Sequence, residues 1–533
     1  MIIFIRRKVL IAVAVLTVVF FGFALLEPWW FIGVGITGVL TALGVRDVLQ
    51  PSHSILRNYP IVGHLRYLLE DAGPELHQYV VENDTEGKPF DRNVRSLMYQ
   101  RAKDVPDKTP FGTELDLYAT GYTWMVHSVA PKPEPDDPVA MLRVDVGGLA
   151  CKQPYSTSVL NISAMSFGSL GRAAITAMNT GAAVGNFAHN TGEGGLSRYH
   201  LEPGGDVVWQ IGTGYFGCRT PDGDFSPEEF EKQAAHDQVR MIEIKLSQGA
   251  KPGHGGILPG KKVNDEIAAA RQVPVGEDVF SPTFHSAFST PLELVEFIAL
   301  LRRLSGAKPV GIKLCVGDPI EFMSMVKAMI ETDIFPDFIV VDGAEGGTGA
   351  APLEFSDSLG APLIDGLMLV QNVLIGAGVR DRTQIGASGK LVSASAMAQA
   401  MALGADWCNS ARGFMFAVGC IQAKRCHTNR CPVGVTTQDP RLERGLVVPE
   451  KAKRVEQFHR NTVGALAELL AAMGLEHPQE LTPEMVRKRV SPQSVLTLAE
   501  IGPIFEPNSL VDATAPDRSM RHWALANAAR FRP

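Results

Sequence analysis

Phe338-Ile-Val-Val-Asp342-Gly-Ala-Glu-Gly-Gly-Thr-Gly-Ala350 is a short apolar run that stops on an acid and breaks into glycine. Runs of this kind are too short for a buried helix and read as strands buried on both faces. Working outward, the same pattern recurs at 159–165, 184–189, 242–246, 278–281, 310–315, 384–387 and 406–409. Between them lie stretches with helical apolar spacing at 171–181, 291–304, 319–331 and 393–403. Strands that alternate with helices build a parallel sheet. Eight such units predict an α/β protein with a (β/α)8 TIM barrel, whose chemistry sits at the C-terminal strand ends. A doubly wound sheet is the competing arrangement.

The strand ends carry the polar residues. Ser163-Ala-Met165-Ser166 follows the first run, and Asn190-Thr-Gly-Glu193-Gly-Gly195 the second. Lys245-Leu-Ser-Gln248 closes the third, and Lys313 lies in the fifth. Gly346, Gly347 and Thr348 follow the sixth, Gly386-Ala-Ser388-Gly389 ends the seventh, and Arg412-Gly413 follows the eighth. Small residues at the last two strands suit an anion held on backbone N–H groups. The lysines suit negative charge on a flavin ring or a carboxylate substrate. Two phosphate-loop look-alikes fail on context. Gly212-Thr-Gly214-Tyr-Phe-Gly217 runs into a loop, not a helix, and Gly255-x4-Gly260-Lys261 is followed by Lys262 where a hydroxyl should bind magnesium.

Cys420, Cys426 and Cys431-Pro432 pack three of seven cysteines into one stretch, spaced C-x5-C-x4-C-P. Three thiolates on a loop suit a soft centre, iron–sulfur or zinc. Structural zinc prefers four ligands in paired knuckles, whereas a closing Cys-Pro is an iron–sulfur habit. Three ligands suit a three-iron cluster; three buried thiols are the bland alternative. His427 is either a fourth ligand, a solvent-facing residue or a hydrogen-bond donor to the site. This cysteine usage implies a reducing compartment, and a net charge of −7 gives no sign of nucleic-acid binding.

At the other end, Arg6-Arg7-Lys8 precedes an uncharged apolar run over 9–26, Pro28-Trp29-Trp30 interrupts it, and a second run covers 31–45. A span needs about 20 apolar residues. Residues 1–47 therefore read as a transmembrane helical hairpin, with a single span or a signal anchor as alternatives. Basic residues on both flanks, with Arg46 and Arg57 on the far side, put both ends and the catalytic region on the cytoplasmic side of the membrane. The remaining divisions are a mixed, partly helical region over 48–156, the barrel with its cysteine loop over 157–445, and a C-terminal extension of helices and loops over 446–533. Pro131-Lys-Pro-Glu-Pro-Asp-Asp-Pro138 is a proline-rich connection into the barrel.

Residues 160–442 resemble the synthase domain of the glutamate synthase family. The likeness rests on Ile162-Ser-Ala-Met-Ser-Phe-Gly168, Asn190-Thr-Gly-Glu-Gly-Gly195, Gln248-Gly-Ala-Lys-Pro-Gly253, Leu258-Pro-Gly-Lys-Lys-Val263, Gly346-Gly-Thr-Gly-Ala350 and the cysteine stretch through Asp439. It implies a (β/α)8 barrel that binds FMN and a [3Fe-4S] cluster and reduces 2-iminoglutarate, made from 2-oxoglutarate and ammonia, to glutamate. It also implies roles. Cys420, Cys426 and Cys431 correspond to the cluster ligands. Lys245, Gln248 and Glu193 take the catalytic positions, and Gln210 and Thr213 line the pocket. Ser163, Met165, Ser166, Lys313, Gly346, Gly347, Thr348, Gly386, Ser388, Gly389, Arg412 and Gly413 contribute to the cofactor site. The sequence shows no nucleotide site, so electrons are expected from an external donor, a ferredoxin or a reductase.

Departures from the family pattern concern the substrate. His254 replaces an acid, Tyr215 replaces a common arginine, and Ala387-Ser388 replaces an aspartate-bearing strand end. The first cysteine is Cys151, so an N-terminal glutaminase nucleophile is not expected. Three readings follow: a membrane-anchored glutamate synthase, a related oxidoreductase for another 2-oxo acid or imine, and a non-catalytic electron-transfer scaffold.

Overall fold

The computed structural model describes residues 7–532, in two compact units that divide between Arg92 and Asn93. In the first unit, helix α1 (Lys8–Ala24) and helix α2 (Trp30–Leu49) fold back on each other. The Thr17 and Thr41 hydroxyls meet at 3.1 Å. Phe20 stacks on Trp30, and a Cβ on Gly33 would meet the Phe20 ring at 2.8 Å, so glycine lets the helices approach. Helix α2 is long and apolar enough to cross a bilayer; α1, at 17 residues, is shorter. Ile11, Val18, Ile32, Ile36 and Val39 are exposed.

In the second unit, eight parallel strands close into a barrel: β1 (Leu160–Ile162), β2 (His189–Asn190), β3 (Val207–Ile211), β4 (Val239–Lys245), β5 (Val310–Leu314), β6 (Phe338–Asp342), β7 (Gln384–Ser388) and β8 (Trp407–Ser410). Every residue of β3, β5, β6 and β8 is buried, as a parallel barrel buries both faces of its strands.

The expected number of strands is right, but two of their assignments are corrected. Residues 278–281 are not in the barrel: Val279–Phe280 pairs antiparallel with Ile257–Leu258. That hairpin belongs to a long insertion between β4 and helix α3 (Pro291–Leu304). The true strand is β3, which directly precedes the Gly212 loop. At 184–189, Val184 and Gly185 close the helix Arg172–Gly185. Asn186, with φ +52, reverses the chain there, as left-handed helix caps do, and leaves a two-residue β2.

Behind the barrel, helix α4 (Val448–Ala472) buries Val455, Phe458, Leu466 and Leu470. The stretch after it, expected as helices and loops, also contains a β-hairpin. Its strand Val486–Ser491 pairs with Ser494–Thr497 on one side and with Thr123–Met125 on the other. The run Val-Arg-Lys-Arg-Val-Ser has no strong apolar alternation, so that partner, far away in sequence, makes it a strand.

Candidate active site

The strand ends converge at one mouth. Glu193 sits on the single turn Gly192–Gly194 after β2. Gly192 has φ +64, and a Cβ there would strike the Ser166 backbone at 2.7 Å, so glycine lets the β1 and β2 loops close on each other. Lys245 ends β4, in register with Lys313 on β5. Its amine lies 2.9 Å from the Glu193 carboxylate. Burial pushes the Glu193 carboxyl up, but Lys245, with Lys251 and Arg271, outweighs this and holds it below the ordinary range. Deeper in the barrel, Asn190 and Gln210 both donate to one oxygen of Glu243, at 2.9 and 2.6 Å. Lys313 lies 3.4 Å from Asp342. Burial disfavours the Lys313 cation, but Asp342, Glu243 and Glu193 reverse this and raise its pKa.

The β4–α3 insertion folds over this mouth and brings two cations absent from the sequence-derived set. Lys251 is buried, and desolvation lowers its pKa against the pull of Glu193. Arg271 is buried too; burial pushes its pKa down to about 10, with Glu193 opposing. Its Nη2 donates to Phe167 O at 3.1 Å, while its Nε has no partner among the described residues. Thr213 Oγ1 ties the insertion down through Pro282 O at 2.6 Å. Glu193, Thr213, Lys245, Gln248, Lys251 and His254 line the resulting cleft. Lys251 stands inside the Gln248–Gly253 motif and was legible there; no local pattern points to Arg271.

Beside the cleft, the loops after β6, β7 and β8 form a recess walled by small residues. Gly343 N–H donates to Ser388 O at 2.7 Å, and Gly346 N–H to Gly343 O at 2.9 Å. Arg412 donates to Thr348 O at 2.9 Å, and a Cβ on Gly347 would stand 3.0 Å from its guanidinium. The Ser388 hydroxyl meets that of Ser163 at 3.2 Å, and Gly389 takes φ +148. The buried Ser410 hydroxyl has no partner among the described residues. Met165 is buried, and the Ser166 hydroxyl turns to Ser169. Gly386 and Gly413 differ from the rest of the expected cofactor set: they pack against the Trp407 and Phe458 rings.

The cysteine loop abuts this recess. Gly349 approaches the Cys426 side chain, and Tyr99 donates to Cys420 O at 2.6 Å. Lys262, the residue that spoils the P-loop reading, is buried and donates to Cys426 O and Thr436 O, both at 3.0 Å. Among the described residues, no three His, Cys, Asp or Glu side chains converge as one metal ion would require. The thiols do sense one another: burial pushes Cys420 up to about 11, and Cys426 and Cys431 add to the rise. At Cys431 burial also raises the pKa, but hydrogen bonds from Thr436, Val433 and Val435 bring it below the ordinary thiol value.

Fold and mouth together define a (β/α)8-barrel protein with an acid–cation cluster beside a glycine-walled recess. Residues 150–476 match the conserved region in glutamate synthase. The chain is 40% identical to the glutamate synthase large subunit-like protein YerD of Bacillus subtilis, over 85% of this chain and 93% of that protein. It is 32% identical to the archaeal glutamate synthase [NADPH] of Archaeoglobus fulgidus, over 60% of this chain and 59% of that one. A solved mutant flavocytochrome b2 with pyruvate bound aligns over 89% of this chain and 94% of its own, with 13% identity and a TM-score of 0.43. The chain belongs to the glutamate synthase family and is an oxidoreductase of that type, acting on CH–NH2 groups.

Proposed function

We propose that the chain reduces 2-iminoglutarate, formed from 2-oxoglutarate and ammonia, to glutamate. The observation that carries this reading is the Lys245–Glu193 pair with Lys251 and Arg271 beside it. A dicarboxylate needs two cationic holds, and an iminium nitrogen needs an anionic one. Lys251 in the cleft supplies one hold, and Arg271, buried beside Glu193 with its Nε unpartnered among the described residues, adds positive charge behind the mouth. Glu193, held ionised, accepts the N–H of ammonia or the iminium. Lys245 steadies Glu193, and the insertion keeps water from the imine.

The recess fits FMN. Its small residues let backbone approach a ligand, and Arg412 and the β7 loop suit a phosphate. Gly343, Gly347, Ser388, Gly389 and Arg412 would hold it, with Lys313 supplying positive charge. Bound FMN supplies the hydride equivalent. The cysteine loop fits a [3Fe-4S] cluster better than a lone ion, because a cluster spaces its thiolates one per iron. Cys420, Cys426 and Cys431 would hold it, and the N–H groups at Cys431 are of the kind that tune such thiolates.

The α1–α2 hairpin is read as a membrane anchor with the barrel on the cytoplasmic side, and the electron donor as an external ferredoxin or reductase. Exposed Leu65, Leu68, Leu69 and Leu76 on the following helix, Gly63–Leu76, support a membrane-facing first unit. A second reading, reduction of another 2-oxo acid or imine, is favoured by Tyr215. It stands where the family commonly has arginine, and it is buried with its hydroxyl on His285 instead of lining the cleft. Competition among 2-oxo acids for ammonium-dependent turnover tests this. A clear preference for 2-oxoglutarate supports the first reading, and preference for a monocarboxylic oxo acid supports the second.

A further inference from the structure

We propose that Tyr215 and His285 form a clasp that fixes the end of β4, and with it Lys245, beneath the folded insertion, making both positioning residues for the oxo-acid site. This rests on the functional reading above. Four groups form one directed chain. Ala287 N–H donates to the Tyr215 hydroxyl at 3.1 Å. The Tyr215 hydroxyl lies 3.1 Å from His285 Nδ1. His285 Nε2 lies 2.9 Å from Lys245 O. A carbonyl only accepts, so Nε2 carries the proton and Nδ1 accepts from the Tyr215 O–H. One neutral tautomer satisfies every group.

The surroundings keep it so. His285 is buried and stacks on Phe288. Burial pushes the imidazole down to about 4; its hydrogen bond to Lys245 O and the Glu193 charge oppose this, while the Lys245 charge adds to it. The clasp joins three elements. Tyr215 follows β3, Lys245 ends β4, and His285 lies on the return arm of the insertion. Ser281 N–H on the same arm bonds Gly256 O at 2.9 Å, beside Glu193. Pulling the arm away would free both the Lys245 backbone and the cover that carries Lys251 and Arg271.

The test compares holoprotein of wild type, Tyr215→Phe, His285→Leu and His285→Gln. A glutamine amide presents N–H and O spaced much like the two ring nitrogens, so His285→Gln can rebuild both bonds. The dissociation constant for 2-oxoglutarate, by calorimetry, should rise about tenfold in Tyr215→Phe and His285→Leu, the worth of one or two hydrogen bonds. It should stay within about twofold in His285→Gln. In turnover, kcat/KM should fall with the loss of binding in Tyr215→Phe and His285→Leu and recover in His285→Gln. Unchanged binding in the first two variants overturns the proposal, and so does a His285→Gln variant as impaired as His285→Leu. The 15N shifts of the His285 ring, assigned by their loss in His285→Gln, add a readout that needs no substrate. A neutral Nε2–H tautomer that does not titrate between pH 6 and 8 supports the clasp, and an Nδ1–H or titrating ring overturns it. If wild type shows this tautomer but binds no 2-oxoglutarate, the substrate reading fails and the clasp stands.

Discussion

The Lys245 amine and the Glu193 carboxylate meet from different strand ends at 2.9 Å, so neither can be removed without stranding the other's charge in a poorly solvated place. Lys245→Met should lower ammonium-dependent turnover by about a hundredfold, the scale of one lost electrostatic contact at a reacting centre. Steady-state kinetics on the flavin-replete variant checks this. The pair also sets a pH dependence. The Glu193 carboxyl is held below its ordinary value of 4.5. Its contribution to stability is therefore present above that value and is lost as pH falls through the lower folded one. The gap in denaturant midpoint between wild type and Glu193→Gln should stay level from pH 8 to about 5 and shrink below that. A gap that widens with acid would contradict this.

Lys245, Gln248 and Glu193 were legible because each stands in a motif at a strand end. Arg271 and His285 were not. They arrive through an insertion whose path is set by contacts such as Thr213 with Pro282 O, and neither local periodicity nor spacing encodes such contacts.

Among elements, β5–β8 were legible as apolar runs because a parallel barrel buries both faces of a strand. The insertion was harder to read. β4 stops at Lys245 and β5 starts only at Val310. One βα unit rarely needs so long a stretch, which is why 278–281 looked like a strand. Burial of Val279 alone does not distinguish a barrel strand from a two-residue hairpin. At the opposite end of the barrel, Arg302 of α3 bonds Asp337, just before β6, at 2.9 Å. Asp337 also accepts N–H groups of Gly148 and Val310, at 2.7 and 2.8 Å. Arg302→Leu leaves that carboxylate buried without its cation and should cost about 3–5 kcal/mol, read from denaturant unfolding. Phe458 is fully buried against Phe414 and Gly413. Phe458→Ala should cost a similar amount, about 3–5 kcal/mol, by opening a cavity between α4 and the barrel.

For the whole molecule, the division at Arg92 and Asn93 separates the apolar hairpin from the barrel unit. Removing residues 1–47 should weaken membrane binding while leaving turnover with a chemical reductant within about twofold, since hairpin and barrel bury separate cores. Flotation with vesicles and anaerobic kinetics, run on the same preparation, check both halves. The helical hairpin was legible because Pro28-Trp29-Trp30 separates two uncharged apolar runs. The C-terminal β-hairpin was not, because Val486–Ser491 owes its conformation to Thr123–Met125.

The most direct measurement is anaerobic turnover of the full chain in mild detergent with chemical reductant, 2-oxoglutarate and ammonium, following flavin reoxidation and glutamate together. Reoxidation that needs both substrates and yields glutamate in equal amount is the expected result. A protein that stays reduced with both present would contradict glutamate synthesis at this mouth.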